Sequence, residues 1–234
     1  MDWRLRLYGT LPSTSDLCIT LAKAGEPEGL AVLAGRQSAG RGSHGRSWES
    51  RTGNLHLSLL LRPVGPASEA ARWGLLTGVA VAEALAPYAP DIMLKWPNDA
   101  LRDGAKLAGI LVESATAPDG GLGWLVIGIG VNLTYAPEIA GRRTTCLGPD
   151  APAPEAAARA VLDRVAHWRG IYLRDGFAPV RAAWLARAHP AGTELRLTRP
   201  GHEIGGRFAG LAEDGSLLIE TGGQVRAYTA GELA

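Results

Sequence analysis

Between two apolar runs, Leu30 to Ala34 and Leu55 to Leu61, the chain carries a polar stretch, residues 35 to 54, crowded with glycine and arginine. A segment this long with no hydrophobic periodicity is unusual inside a compact domain unless it serves a function. Strand, long loop, strand is the simplest reading of the region. The core of the loop is Gly35-Arg36-Gln37-Ser38-Ala39-Gly40-Arg41-Gly42-Ser43-His44-Gly45-Arg46-Ser47-Trp48. Its glycines let backbone amides approach an anion, and its arginines add charge-assisted hydrogen bonds. It has the makings of a flap over a phosphate. Taken alone, it reads equally well as a mobile basic surface loop.

The rest of the chain alternates short strands with helices. Residues 3 to 8 alternate as a strand, and Leu11-Pro12-Ser13-Thr14-Ser15-Asp16 breaks it before the helical spacing of Leu17, Thr20, Leu21 and Ala24. Ser13 or Ser15 is expected near the N-cap. Residues 68 to 86 carry Trp73, Leu76, Val79, Ala80 and Leu85 at helical spacing. Strands are expected at Ile92 to Lys95, Lys106 to Glu113 and Trp124 to Val131, with turns at Asp103-Gly104 and Asp119-Gly120-Gly121. Two helices broken near Gly176 and Pro179 are expected over 152 to 188. Short strands follow at Glu194 to Thr198, Ile204 to Leu211, Ser216 to Glu220 and Val225 to Thr229, turned by Asp214-Gly215 and Gly222-Gly223. The pattern predicts an α+β chain in two units, 1–190 and 191–234, the second too small to stand alone and therefore leaning on the first.

Composition excludes several classes. Lys+Arg 24 against Asp+Glu 23 leaves a formal charge of +1, without the overall basic excess of a nucleic-acid binder. No apolar run approaches the ~18 residues of a membrane span, and MDWRLRLYGT has no apolar signal core. A soluble cytoplasmic protein is expected, with no membrane and no DNA among its partners. Cys18 and Cys146 match no metal or redox spacing. His44, His56, His167, His189 and His202 show no ligand spacing and are assigned no catalytic role. Scarce residues are more telling: of the 24 basic residues only Lys23, Lys95 and Lys106 are lysine, the asparagines are Asn54, Asn98 and Asn132, and the glutamines are Gln37 and Gln224. An ammonium or a side-chain amide does what a guanidinium cannot. Most of these rare residues fall in four segments.

The first is the 35–48 loop. The second, Lys95-Trp96-Pro97-Asn98-Asp99, ends a strand and presents Asn98 and Asp99 oxygens suited to hydrated Mg²⁺ or a polyphosphate, although by itself it is also a plain turn. In the third, Lys106-Leu107-Ala108-Gly109-Ile110-Leu111-Val112-Glu113, small residues permit close approach of a ligand beside the Lys106 charge; the alternative is an edge strand with a solvated lysine. The fourth, WLVIGIGVN from Trp124 to Asn132, is an apolar strand whose Gly128 and Gly130 signal close contact, read here as contact with a flat base. Ser13 and Thr14 add hydroxyls for which N-capping is the simpler account.

In this order and spacing the segments resemble the biotin protein ligases, also called biotin–[acetyl-CoA-carboxylase] ligases. The likeness runs over nearly the whole chain: Ser13 to Asp16, Gly40 to Gly42, Gly53-Asn54-Leu55, KWPND, KLAGILVE, GIGVN and the C-terminal strands. It implies an α+β fold, with a mixed-sheet catalytic domain like that of class II aminoacyl-tRNA synthetases and a small SH3-like β-barrel. It implies a biotin site at Ser13, Thr14, Gln37, Gly40, Arg41, Lys106 and Gly109. The ATP and adenylate site is implied at Arg41, Arg46, Trp48, Lys95, Asn98, Lys106 and Asn132, with Mg²⁺ near Asn98 and Asp99. Arg41 and Lys106 are the implied catalytic residues. The implied substrates are biotin and ATP, and the implied partner is the biotin carboxyl carrier protein of acetyl-CoA carboxylase. Because the first motif starts at Ser13, a ligase-only form without a helix-turn-helix is expected. The oligomeric state is left open between a monomer and a weak homodimer. Lipoate or octanoate ligases share the fold, but KWPND with KLAGILVE favours biotin; a non-catalytic biotin-responsive protein fits poorly with Arg41, Lys106, Asn98 and Asn132 all present.

One position departs from the family pattern. The residue two after Arg41, usually basic, is Ser43, and a neutral hydrogen bond is worth about half a charge-assisted one. His44 or Arg46 can compensate if the loop brings either to the phosphate. Faster escape of the adenylate is the expected consequence, and Ser43→Arg should slow it. Free adenylate, or stray labelling of bystander lysines, measured without acceptor protein gives the answer. Equal retention by parent and variant at neutral pH means that another group has taken over the role.

Overall fold

The computed structural model describes residues 1–199 and 201–233. Ala234, the last residue of the expected second unit, lies outside the described residues. Strands β1 (Arg4–Leu11), β2 (Leu30–Gln37), β3 (Leu55–Leu61), β4 (Met93–Lys95), β5 (Asp99–Arg102), β6 (Ala105–Thr116) and β7 (Leu122–Val131) form one sheet in the order β1-β2-β3-β7-β6-β5-β4. β1 and β2 run parallel and the other neighbours antiparallel, so the sheet is mixed. Among the described residues four α-helices accompany it: α1 (Thr14–Lys23), α2 (Ala70–Leu85), α3 (Pro154–Asp175) and α4 (Ala178–Leu185). A second, antiparallel sheet follows, built from β8 (Glu194–Arg199), β9 (His202–Leu211), β10 (Leu217–Thr221), β11 (Gln224–Tyr228) and β12 (Glu232–Leu233). This is the α+β arrangement expected.

Side-chain alternation along the strands sorts the two faces of the large sheet. Leu55, Leu57, Leu59 and Leu61 of β3, with Leu125, Ile127, Ile129 and Val131 of β7, enter the main core with α2 and α3. Each such leucine, fully buried, contributes about 1.5–3 kcal/mol. On the opposite face Leu60 and Val126 pack under Cys18 and Ala22 of α1. That helix is only ten residues long and covers one end of the face. Beyond it the same face carries Ser58 and Gly128, then His56, Gly130 and Gly109, and the 38–50 loop lies over them. Apolar packing stops where the polar floor begins.

The second sheet shares the main core through Leu195, Leu197, Phe208, Leu211, Leu217, Ile219 and Leu233. Trp96 Nε1 donates to the Gly215 carbonyl at 3.2 Å and Arg181 Nε to that of Leu211 at 2.7 Å, so the small unit does lean on the large one.

Several local expectations are sharpened. Ser13, extended at φ −155°, is the N-cap of α1, its Oγ accepting the Asp16 N–H at 3.2 Å. The helical break falls at Gly176 (φ 75°), whereas Pro179 sits in the first turn of α4, where a missing N–H costs nothing. β6 lies between β5 and β7, which removes the edge-strand reading of Lys106. β5 and β12 were not expected: each is short, and neither alternates long enough to stand out.

Asn54 joins the end of the long loop to the segment after β7. Its Oδ1 accepts the N–H groups of Leu133, Thr134 and Tyr135 at 3.0, 3.1 and 3.1 Å, and its Nδ2 donates to Tyr135 O at 2.7 Å, with 1% of the residue exposed. Asn54→Ala strands four backbone groups, and a loss of about 3 kcal/mol is expected. Urea unfolding should show a lower midpoint at unchanged slope.

Candidate active site

Two compartments lie along the polar floor. A narrow slot is lined by Ser13, Thr14, Ser15, Gln37, Arg41, Trp48, His56, Asn98, Lys106, Gly109, Leu111, Gly128 and Gly130, among others. A second chamber of about 390 Å³ is lined by Arg46, Trp48, Lys106, Asn132, Pro137, Ile139, Arg142 and Thr144, among others. Gly42, Ser43, Trp48 and Lys106 belong to both, so the two meet there.

At one end of the slot, side chains form a directed chain of hydrogen bonds. Gln37 Oε1 accepts from Thr14 N at 2.8 Å and from Thr14 Oγ1 at 3.1 Å, and Gln37 Nε2 donates to Ser50 Oγ at 3.1 Å. Thr14 Oγ1 lies 2.8 Å from Ser58 Oγ, which lies 3.0 Å from Ser15 Oγ. A hydroxyl has one hydrogen. With Thr14 donating to Gln37, Ser58 donates to Thr14 and Ser15 to Ser58, which leaves lone pairs toward the slot. Ser13 Oγ accepts the Asp16 N–H and keeps its own hydrogen free.

The floor is a flat strip. Gly109 pairs with Gly130 across β6 and β7, and the Trp48 indole lies so close that a Cβ on Gly130 would collide with it. A Cβ on Gly128 would sit 2.6 Å from Ser15 Oγ. The close contact expected at these glycines is made here by Trp48, where the loop folds back onto the sheet, and by Ser15 of α1. Gly40 is equally constrained: a Cβ there would lie 2.5 Å from Trp48 O and 2.9 Å from Gln37 Nε2.

Arg41, Arg46 and Lys106 are each held by an opposite charge. Arg41 makes a two-pronged bond to Glu113 at 2.9 and 2.8 Å and reaches Asp16 at 2.7 Å. The bond to Glu113, foremost, raises its pKa further. Lys106 Nζ lies 2.5 Å from Asp99 Oδ1, and Arg46 bonds Glu232 at 2.6 Å and Ser43 Oγ at 3.0 Å. Arg46 thus holds the Ser43 hydroxyl within the loop. Arg142, which no motif singled out, takes the other Glu232 oxygen at 2.6 Å. Burial pushes the Glu232 carboxyl up, yet the two arginines hold it below its ordinary value. Lys95 lines neither compartment; burial, then Lys106 and Arg142, lowers its pKa against the pull of Asp99 and Glu232.

Two amides stand at the boundary. Asn98 Nδ2 donates to Ile110 O at 2.8 Å. Asn132 Nδ2 donates to Lys106 O at 3.4 Å and Thr145 O at 3.1 Å, while its buried Oδ1 has no partner among the described residues. Asn98 and Asp99 offer one amide oxygen and one carboxylate. Among the described residues no group of three His, Cys, Asp or Glu side chains forms a cage. That donor set fits a hard cation arriving with a polyphosphate.

Residues 10–132 match the model of the biotin/lipoate A/B protein ligase family, and residues 192–233 that of the biotin protein ligase C terminal domain. The chain is 36% identical over 199 residues to a biotin–[acetyl-CoA-carboxylase] ligase of Paracoccus denitrificans, covering 80% of this chain and 82% of that one. The chain belongs to the biotin protein ligase family. A ligase of the same description from Mycobacterium tuberculosis (strain ATCC 25618 / H37Rv) is 32% identical over 231 residues, covering 94% of this chain and 84% of that one. The structure of biotin protein ligase from Aquifex aeolicus in complex with biotin and ATP superposes with a TM-score of 0.82 at 28% identity, covering 99% of this chain and 97% of that one.

The motif reading missed Ser15, Ser58, His56, Glu113 and Arg142. For His56 and Ser58 a signal existed: polar residues at alternate positions inside the apolar run LHLSLLL mark one face of a strand. Burial lowers the His56 pKa despite the hydrogen bond to Arg51 O, which raises it. Above its unfolded value of about 6.5 both states are neutral, and below it the unfolded chain takes up the proton first, so acid costs stability. The parent should lose more stability than His56→Gln between about pH 7.5 and about pH 5.5. Urea midpoints of both proteins at the two pH values measure it, and parallel losses refute a neutral buried His56.

Proposed function

We propose that the chain is a biotin–[acetyl-CoA-carboxylase] ligase that forms biotinyl-5′-AMP from biotin and ATP, then transfers biotin to a lysine of the biotin carboxyl carrier protein. The observation that carries this reading is the meeting of slot and chamber at Lys106 and Trp48. A small molecule with a polar ring and a carboxylate tail, bound in the slot, delivers its carboxylate where a nucleotide in the chamber holds its α-phosphate. In this reading residues 1–190 are the catalytic unit and 191–234 its C-terminal partner.

The ring rests against Ser13, Thr14, Gln37 and Gly40, with Ser13 donating to the ureido oxygen and the hydroxyl chain accepting from a ring N–H. Gly109 leaves room for the tail, which runs toward Lys106 and Arg41. Asn132 Oδ1, unpartnered in the chamber, accepts from the adenine amino group, and Trp48 lifts from the glycine floor to cover the ligands. Arg46 and Asn98 face the phosphates, and Lys95, behind the lining, acts on them only through its charge. Asn98 and Asp99 would hold Mg²⁺, which would neutralise charge on the triphosphate.

In the first step a biotin carboxylate oxygen attacks the α-phosphorus and pyrophosphate leaves with the electron pair of the broken P–O bond. Arg41 and Lys106 trade their carboxylate partners for the oxygens on which negative charge grows. In the second step the neutral amine of the acceptor lysine attacks the carbonyl carbon of the mixed anhydride, the C–O bond breaks, AMP departs with that electron pair and the nitrogen gives up one proton to water. The positive field of Lys95 and Lys106 favours the neutral amine.

Arg41→Ala and Lys106→Ala should each cut biotin-dependent pyrophosphate release by about 10²-fold or more. The assay is run with biotin and, separately, with lipoate, followed by labelling of an apo carrier domain. Release near the parent rate from either variant removes that residue from the catalytic set. Activation of lipoate in place of biotin overturns the reading as a whole.

A further inference from the structure

We propose that His56 determines specificity in the slot: its Nδ1 accepts a hydrogen bond from a ring N–H of the ligand, so that a ureido ring is selected over a ring without N–H. The inference rests on the proposed function and deepens it. His56 belongs to the slot lining, is 1% exposed, and lies on β3 opposite Gly130, under the loop. Its Nε2 is 3.2 Å from the Arg51 carbonyl oxygen. A carbonyl only accepts, so Nε2 carries the hydrogen and Nδ1 presents a bare lone pair. That lone pair is closed off from solvent and has no partner among the described residues.

The neighbouring groups do not supply one. The hydroxyl hydrogens of Ser15, Ser58 and Thr14 are spent along their own chain. Trp48 Nε1, a donor over the same pair of glycines, is likewise unpartnered and does not bond His56. An acceptor and a donor, both buried and both idle, face one small space, and a ligand completes what the side chains leave open. Burial keeps the imidazole neutral, which preserves the lone pair.

Ser58 and His56 are two residues apart on the same face of β3, a separation of about 7 Å. A fused ureido ring has two N–H donors pointing apart. One meets the hydroxyl chain where Thr14 and Ser15, both bonded to Ser58, line the slot, and the other meets His56. A dithiolane ring has no N–H and would bury the Nδ1 lone pair unsatisfied, and sites built around a ligand hydrogen bond reject analogues that lack it.

Two substitutions separate the halves of the imidazole. Gln places an amide N–H near the Nε2 position and keeps the bond to Arg51 O but loses the Nδ1 acceptor. Asn places an oxygen near the Nδ1 position and loses the bond to Arg51. Biotin and ATP affinities are measured by calorimetry on parent, His56→Gln and His56→Asn, with lipoate as competitor and thermal midpoints alongside. Expected is a loss of about tenfold or more in biotin affinity for His56→Gln, with ATP affinity and thermal midpoint near the parent's, and a smaller loss for His56→Asn. The preference for biotin over lipoate should narrow in His56→Gln alone. Biotin binding by His56→Gln equal to the parent's, or a larger loss in His56→Asn, would show that the ring is only an anchor for the loop and overturn the proposal. A parent that binds lipoate and not biotin fails the underlying function reading instead.

Discussion

The Trp48 indole rests on the sheet only because Gly109 and Gly130 pair across β6 and β7 without a side chain between them, and the rest of the site is arranged around that contact. Gly40 fixes where the tryptophan sits: its carbonyl accepts the Trp48 N–H at 2.9 Å, and any Cβ at Gly40 would meet the Trp48 carbonyl. The indole is a wall of both compartments. A ligand that moves it in one compartment therefore changes the shape of the other, which is the structural requirement for coupled binding of two substrates.

Charge is organised on the same plan. Arg41, Arg46, Lys106 and Arg142 crowd a small region, and each is matched by Asp16, Asp99, Glu113 or Glu232. The pairs are partly exposed, with side-chain exposures from 16% to 52%, and partly exposed pairs are individually weak, about 0–1 kcal/mol. Without the carboxylates the cations would repel one another. With them, the folded chain keeps a set of guanidinium and ammonium groups in place at little cost, and an incoming carboxylate or phosphate has only weak partners to displace. Glu113 matters most for direction, because its two-pronged grip orients the planar Arg41 fork as well as neutralising it.

The large sheet was legible because its central strands are mostly apolar runs, and the loop was legible because nothing apolar interrupts it. The rarity of lysine and asparagine pointed to Lys106, Asn54 and Asn132, each of which turned out to be held by specific bonds. What could not be read was pairing at a distance. Arg41 and Glu113 are 72 residues apart and Arg46 and Glu232 are 186 apart, and only the register of the strands brings them together. The glycines in GIGVN announced close contact but not its partner, since a loop tryptophan and a flat ligand make the same demand on the backbone. His56 and Ser58 were overshadowed by their leucine neighbours: their alternate spacing marks one face of the strand, but two polar residues in a seven-residue run that is buried throughout do not say what that face meets.

The C-terminal sheet is more than a satellite, and the reason lies in a strand of two residues. β12 pairs Glu232 with Thr198 and Leu233 with Leu197, and Leu233 is buried in the shared core while Glu232 reaches out to Arg46 and Arg142. Those arginines come from the two segments that wall the chamber, the 35–48 loop and the segment following β7. One carboxylate thus ties both walls to a third element whose position is set by the apolar core and by the Trp96 bond to Gly215. Trp96 belongs to the same KWPND segment as Asn98 and Asp99, so the motif has a dry end that seats the small sheet and a polar end that faces the site. A chain that built the large sheet alone would keep the floor and the slot but lose the group that holds the two chamber walls in register.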